Sequence, residues 1–219
     1  GRMLAGQDAI YYITGDEVAT LAKSPQLEGF AARGVEVLLL ADPVDEFWVP
    51  ALGEYAEKPF KSVTRAGTDL GAIEAAAEGE DAAEGKQETD AAPPGIEALI
   101  AMFKLELGET VKDVRVSKLL TESVACLVAD EGDLDIHLER LLRQQRQLGE
   151  SVKRVLEINP THPLIRALAG IVGKDKAGAT VTEAAWLLLD QARILGGEPP
   201  PNPAEFSRRL AAVMEKGLG

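Results

Sequence analysis

The sequence predicts a small three-layer α/β subdomain, followed by an α+β domain with a three-stranded sheet that ends in a pair of long helices. Three observations support this prediction. Strand-like and helix-like segments alternate over residues 1–66, as in a parallel α/β unit. Residues 67–94 hold eight acidic residues and one basic residue and end in two prolines, which predicts an acidic linker. Residues 95–219 then predict three more strands and several helices.

The first subdomain, residues 1–66, contains three predicted strands. Ala9–Thr14 is rich in β-branched and aromatic residues, and Phe60–Thr64 is a shorter segment of similar character. Val35–Leu40 is a nearly continuous apolar run, which is typical of a strand covered on both faces. Capping residues and prolines predict helices between these strands, at residues 16–23, 24–33 and 44–52.

The second domain, residues 95–219, opens with an amphipathic helix at Ile96–Leu107. A short turn separates the predicted strands Val111–Val116 and Val124–Val128, so we expect these two strands to pair. A third strand is expected at Lys153–Ile158. Further helices are predicted at Asp133–Gln147 and His162–Val172.

The stretch from Ala179 to Gly219 predicts two helices with more apolar residues than one helical face can hold. Gly196 ends the first helix, and Asn202 caps the second. Two interpretations remain open at this point: the helices pack against their own domain, or they form a four-helix bundle with a second copy. The residues that such an interface would use are Trp186, Leu188, Leu189, Leu195, Phe206, Leu210, Val213 and Met214.

Composition limits the possible partners and compartments. The formal net charge of −13 argues against binding to nucleic acid or to an anionic membrane. The single cysteine, Cys126, excludes an internal disulfide framework and fits a reducing compartment. No apolar run reaches the roughly 20 residues that span a bilayer, and no signal peptide opens the chain, so we expect a cytoplasmic protein. From Gly1-Arg2-Met3 we expect part of a longer protein.

Candidates for catalysis or metal binding are few. The sequence has no dinucleotide fingerprint, no phosphate-binding loop and no zinc-protease motif. An enzyme of unknown activity would use Cys126 as nucleophile with a histidine, or Asp45 and Glu46 as an acid/base pair. The alternation around Cys126 instead favours a buried structural thiol, and the two carboxylates fit the start of a helix. One cysteine and two separated histidines, His137 and His162, make a poor metal site.

The predicted helix Asp133–Gln147 carries a narrow apolar stripe, made of Leu134, Leu138, Leu141 and Leu142. The stripe either faces a core, which the pattern alone favours, or stays partly exposed to bind other proteins. Phe47 and Trp48 raise the same question, because two adjacent aromatic residues cannot both face one core.

Several motifs resemble the heat-shock protein 90 chaperone family, in its bacterial type. The runs AIYYITGD (Ala9–Asp16), RGVEVLLLADPVDE (Arg33–Glu46) and PFKSV (Pro59–Val63) are similar to the end of its middle domain. The runs VKDVRVSKLLTESVACLV, LEINPTHPLI and LLLDQA, which begin at Val111, Leu156 and Leu187, are similar to its C-terminal domain. The occurrence of all six runs in this order along the chain is specific to the family, although no single run is specific to it.

The resemblance implies a role that spacing alone does not give. Members of the family are ATP-driven homodimeric chaperones, and their nucleotide site and catalytic arginine lie earlier in the protein. We therefore expect this chain to have no enzyme activity and no cofactor. ATP and magnesium would be bound by the earlier part of the protein. It implies that the terminal helices form an intersubunit four-helix bundle. It also implies two contact sites for unfolded or partly folded client proteins. One is the four leucines of the helix Asp133–Gln147, and the other is the aromatic pair Phe47 and Trp48. A dimerisation adaptor without client binding remains the alternative.

Overall fold

The computed structural model describes residues 2–67, 70, 73, 93–145, 152–174 and 177–218. Contacts divide the chain into two compact units. Unit 1 consists of Gly1–Gln87, Lys118–Thr121 and Val128–Lys153, and unit 2 consists of Glu88–Ser117, Glu122–Leu127 and Arg154–Gly219. Within the described ranges, no helix is both long and apolar enough to cross a membrane.

Unit 1 contains a four-stranded sheet with the order β2-β1-β4-β3. Strand β1 (Ile10–Thr14) pairs in parallel with β2 (Val37–Leu40) on one side and with β4 (Lys58–Ser62) on the other. The short β3 (Glu54–Tyr55) pairs antiparallel with β4. The three predicted strands are thus present. Strand β3 was not predicted, because two residues are too few to show an alternating pattern.

The helices of unit 1 before β4 are short. Helix α1 (Val18–Leu21) is followed by a 3-10 turn at Pro25–Leu27, which Ser24 caps, and then by α2 (Glu28–Ala31). The predicted helix 24–33 is therefore divided into two turns of different type. Helix α3 (Asp45–Leu52) lies where a helix was predicted, and it ends at Gly53, whose φ of 71° favours glycine.

The core of unit 1 lies on one face of β1. Tyr11 and Phe30 are both almost fully buried there, and their rings meet edge-on with 4.8 Å between centroids. Leu70 and Ile73, from the start of the predicted linker, are buried in the same core. Most of the predicted linker lies outside the described residues.

The second sheet has the order β5-β7-β6. Strand β5 (Asp113–Val116) pairs in parallel with β7 (Val155–Ile158), and β6 (Ala125–Val128) lies on the other side of β7. The predicted pairing of the first two strands is therefore wrong. All four residues of β7 are buried, so the most completely buried strand takes the central position although it comes last in the chain.

Helices α4 (Ile96–Leu107), α6 (Pro163–Ile171), α7 (Ala177–Leu195) and α8 (Pro203–Leu218) belong to unit 2 and lie where the sequence predicts them. The core of this unit is formed largely by α4 and α7. Both helices bury apolar residues at helical spacing, and their buried residues are Ile96, Leu99, Phe103 and Leu107 on α4, and Val181, Ala185, Leu188, Leu189 and Ala192 on α7.

Helix α5 (Ile136–Gln144) groups with unit 1 and not with the helices around it in sequence. It is shorter than the predicted helix Asp133–Gln147, because it begins after the cap residue Asp135 and ends before Gln145. Gln147 lies outside the described residues. The sequence predicts one domain over residues 95–219, whereas the contacts group residues 118–121 and 128–153 with unit 1. Helices α3 and α5 are thereby parts of the same unit.

Candidate functional site

Helix α3 presents two adjacent aromatic side chains at the surface of unit 1. Phe47 is 53% exposed and Trp48 is 38% exposed. The indole N–H of Trp48 donates to Asp45 Oδ1 at 2.6 Å, and the Trp48 ring meets the ring of Phe60 edge-on with 6.1 Å between centroids. These contacts hold one aromatic ring in place while both remain accessible.

Helix α5 begins at a buried polar cluster. The side chain of Asp135 is the cap: Oδ1 accepts the backbone N–H of His137. Its other oxygen, Oδ2, accepts the hydroxyl groups of Ser62 at 2.5 Å and Thr64 at 2.6 Å. Asp135 is 4% exposed. Because Ser62 ends β4, the sheet of unit 1 fixes the position at which α5 begins.

The imidazole of His137 lies between two carboxylates. Its Nδ1 is 2.5 Å from Glu46 Oε1, and its Nε2 is 3.1 Å from Asp16 Oδ1. Glu46 is buried, whereas Asp16 is mostly exposed and also accepts a hydrogen bond from Arg140 at 2.8 Å. The contacts join α5 to α3 and to the loop that follows β1.

These contacts change the titration of both His137 and Asp16. Burial by itself lowers the pKa of His137, but the hydrogen bonds to Glu46 and Asp16 and the charge of Glu46 outweigh burial, so the pKa is raised above 6.5. The hydrogen bond from His137, helped by the charge of Arg140, lowers the pKa of Asp16 below its ordinary value. The geometry therefore favours a protonated His137 held between the carboxyl groups of Glu46 and Asp16.

The leucines of the apolar stripe are partly exposed, because α5 turns its polar side inward. His137 and Glu139 are buried, whereas Leu134 is 37% exposed and the other three leucines, Leu138, Leu141 and Leu142, are half-buried. Among the residues that the structure describes, none of the four leucines belongs to the apolar core of unit 1 or unit 2. The interpretation of this stripe as a core-facing surface is therefore wrong.

The aromatic pair and the leucine stripe lie on helices that touch each other. Glu46, which contacts His137 of α5, is the residue before Phe47 on α3. The two predicted contact patches therefore belong to one unit. We refer to Phe47, Trp48, Leu134, Leu138, Leu141 and Leu142 together as the α3–α5 surface.

The eight residues predicted for self-association are placed differently from one another. Leu188 and Leu189 are buried in the core of unit 2, so they are not available for contact with a second copy. Trp186 is half-buried: its indole N–H donates to Glu106 Oε1 at 2.9 Å, and the guanidinium of Arg209 lies 5.3 Å from the ring centroid. Phe206 is half-buried, and the residues with exposures of 41–58% are Leu195, Leu210, Val213 and Met214.

The candidates for catalysis each have a structural role. Cys126 is buried on β6. Asp45 and Glu46 accept hydrogen bonds from side chains of unit 1, as described above. His162 caps α6, because its Nδ1 accepts the backbone N–H of Leu164. In the part of the chain that the structure describes, no three His, Cys, Asp or Glu side chains are grouped to hold a metal ion.

No pattern in the sequence predicts the contact between His137 and Glu46. In the sequence, His137 lies among the polar residues opposite the apolar stripe, where the pattern gives no reason to expect a buried partner. Its partner Glu46 lies 91 positions earlier, and no local pattern links the two residues. The one feature of the sequence that could have indicated this contact is the acidic pair Asp45-Glu46 at the start of a helix. The favourable interaction of acidic residues with the helix dipole already accounts for that pair.

Comparisons with known proteins match the whole chain. The family model described as Hsp90 protein matches residues 1–219. The chain is 56% identical to the "Chaperone protein HtpG" of Paramagnetospirillum magneticum, over 99% of this chain and 34% of that protein. The proteins of the same name from Roseobacter denitrificans and Rhodospirillum rubrum are 54% and 51% identical, over 99% and 100% of this chain and 34% of each protein. The chain thus spans about a third of the length of these curated relatives.

Proposed function

Because the chain belongs to the Hsp90 protein family, we propose that it is the C-terminal part of a bacterial chaperone of the HtpG type. In this proposal it comprises the end of the middle domain, the acidic linker and the dimerisation domain of a cytoplasmic protein. It joins two copies and contributes contacts to unfolded or partly folded clients. ATP and magnesium are bound by parts of the protein outside this chain, so the chain itself carries no enzyme activity.

The observation that carries this proposal is the inverted burial of α5. A helix that serves only as a structural support buries its apolar residues, but α5 buries His137 and Glu139 and leaves its leucines partly exposed. Hydrogen bonds and an ion pair hold the helix, so the leucines are not needed to dock it. Exposed apolar side chains on a rigid support suit weak contact with many unfolded chains.

Suppression of aggregation by the chain tests this proposal. We expect Leu138→Ser combined with Leu142→Ser to reduce, by at least about threefold, the suppression of light scattering from a heat-unfolding reporter enzyme such as malate dehydrogenase, because the apolar contact area falls. The matched control is Leu105→Ser on α4, since Leu105 is 88% exposed and lies in unit 2. Equal suppression by all variants would favour a dimerisation adaptor that does not bind clients.

Self-association is proposed to use the exposed apolar residues of α8 and the end of α7. Leu210, Val213 and Met214 lie along one side of α8 without being buried by the described part of the chain. A second copy that covered this side would bury apolar surface on both chains, and about 1,600 Å² in total is typical of a stable interface. A two-fold arrangement would bring the same helices together from each copy.

Light scattering after size exclusion tests self-association. We expect Val213→Glu combined with Met214→Glu to convert a dimer into a monomer across a dilution series, because charges would be buried without partners. Ala212→Glu adds a charge to the opposite side of α8 and should leave the dimer intact. A dimer that persists in the double variant would contradict the use of α8. Deleting α7 and α8 is a poorer test, because α7 supplies core residues of unit 2.

A further inference from the structure

The polar contacts that hold α5 meet at one titratable side chain, the imidazole of His137. Only 9% of this side chain is exposed. Its Nδ1 lies 2.5 Å from Glu46 Oε1 on α3, and its Nε2 lies 3.1 Å from Asp16 Oδ1 on the loop after β1. Both ring nitrogens are therefore in use at once, and each of them faces a carboxyl oxygen.

Only the protonated ring can donate to both partners, because an imidazolium has two N–H groups and a neutral imidazole has one. The hydrogen bond with His137 lowers the pKa of Asp16, so this carboxylate is ionised at neutral pH and offers acceptors only. After the ring loses a proton, one nitrogen presents a lone pair to a carboxyl oxygen at hydrogen-bond distance. The arrangement of His137 between its two partners therefore depends on the proton.

The other charged groups around the ring do not replace this proton. Arg140 donates to Asp16 Oδ2 at 2.8 Å, so it approaches the exposed partner and not the buried one. Asp135 accepts the backbone N–H of His137 through one oxygen, and its other oxygen accepts the two hydroxyl groups described above. On β1, burial is the main cause that raises the pKa of Tyr12 to about 12, so its hydroxyl is uncharged.

Loss of the proton breaks the exposed contact first. Glu46 is 4% exposed, so it keeps the remaining N–H, because a buried carboxyl group without a donor is costly. The side chain of Asp16 is 74% exposed and can turn toward water. Helix α5 then loses its contact with the loop after β1, while its cap at Asp135 remains.

The leucines of α5 depend on these directional contacts for their position. Among the described residues, Leu138 belongs to neither apolar core, and it directly follows His137 in the helix. The helix has nine residues, which is about two and a half turns. A helix this short is easily loosened when a contact in its first turn is lost. A client must then order the helix again on binding, which lowers the affinity.

We propose that His137 is a positioning residue for client contact, and that loss of its ring proton weakens binding at the α3–α5 surface. This inference rests on the proposed function and adds a form of regulation to it. The pKa of His137 is raised, so the ring is protonated below about pH 6.5 and loses its proton as the pH rises above that value. Client contact is therefore strongest in slightly acidic solution.

Binding of an unfolded probe at different pH values tests this inference on the complete 219-residue chain. The probe is reduced, carboxymethylated α-lactalbumin with a fluorescent label, and fluorescence anisotropy gives its affinity. We expect the dissociation constant of the natural chain to rise about fivefold from pH 6 to pH 9. The imidazole nitrogen resonances of His137 should titrate with the same midpoint.

Two substitutions should remove the pH dependence in opposite ways. His137→Gln offers one nitrogen in place of two and has no titrating proton, so binding should be weak at every pH. Asp16→Asn supplies an amide N–H that the neutral imidazole can accept, so binding should stay tight up to pH 9. Asp16 lies at the surface, so this variant tests the inference even if His137→Gln impairs folding. The control is Arg143→Ala on the exposed side of α5, which should titrate like the natural chain.

Three results would overturn the role of His137. They are an affinity of the natural chain that does not change with pH, an equal change in His137→Gln, and an equal change in Asp16→Asn. The proposed function would survive these results if Leu138→Ser with Leu142→Ser still impaired suppression of aggregation. It would fail separately if that double variant had no effect.

Discussion

Helices α5 and α7 both carry an apolar stripe that includes leucines, but they use it in opposite ways. Helix α7 buries Leu188 and Leu189 in the core of unit 2. Helix α5 buries His137 and Glu139 and leaves Leu138 partly exposed. Leucine is thus a core residue in one helix and a partly exposed residue in the other. Whether the leucines are buried or exposed depends on the residues on the opposite side of the helix and on the partners that those residues find.

The comparison shows how a helix can be held without its apolar side. Glu46 and Asp16 contact both nitrogens of His137, and the cap residue Asp135 is tied to β4. Directional bonds of this kind fix the rotation of a helix about its own axis more strictly than apolar burial does, because they require defined distances. The leucines of α5 are therefore presented at a fixed position without contributing to a core.

The largest expected difference between the two stripes is in stability. Leu189→Ala should lower the free energy of unfolding of unit 2 by about 3–5 kcal/mol, because it leaves a cavity in a packed core. Leu138→Ala should lower the free energy of unfolding of unit 1 by about 1 kcal/mol or less. Each unit contains one of the two tryptophans, Trp186 and Trp48, so urea unfolding can be followed separately after replacing the other one by Phe. Equal losses would contradict the comparison.

A second prediction concerns the bonds that hold α5. His137→Ala should lower the free energy of unfolding of unit 1 by about 3 kcal/mol, because Glu46 is then buried without its partner. The control is Arg143→Ala on the exposed side of α5, which should change stability by less than about 0.5 kcal/mol. Urea unfolding observed through Trp48 provides the measurement. An effect confined to unit 2 would show that the ion pair does not support α5.

A smaller effect is expected from pH. The pKa of His137 is raised in the folded chain above its ordinary value of 6.5, so its contribution is complete below about pH 6.5 and is lost as the pH rises through the folded pKa. The pKa of Asp16 is lowered, so its contribution is lost only as the pH falls well below 3.8. The stability difference between the natural chain and His137→Gln should therefore shrink from pH 6 to pH 9. A difference that grows with pH would refute this assignment.

The sequence predicts the positions of helices and strands well, but it does not predict which of them pack or pair with each other. Strand β1 and helix α4 were predicted nearly residue by residue, because period and propensity are local properties. The pairing of β5 with β7 was not predicted, since it depends on which strand is most completely buried. For α5, the spacing of the leucines showed which residues share a side, but the contacts of His137 with Glu46 and Asp16 decided which side faces solvent.

The most direct test of the central claim is the accessibility of the two leucine stripes to a thiol reagent. In a Cys126→Ala background, which removes the only natural cysteine, Leu138→Cys on α5 is compared with Leu188→Cys on α7. We predict that the thiol at position 138 reacts with a maleimide within about tenfold of the rate of a small free thiol, since the position is half-buried. The thiol at position 188 should react at least about a hundredfold more slowly, because labelling there requires local opening of the core. Similar rates at the two positions, or faster labelling at position 188, would contradict the account.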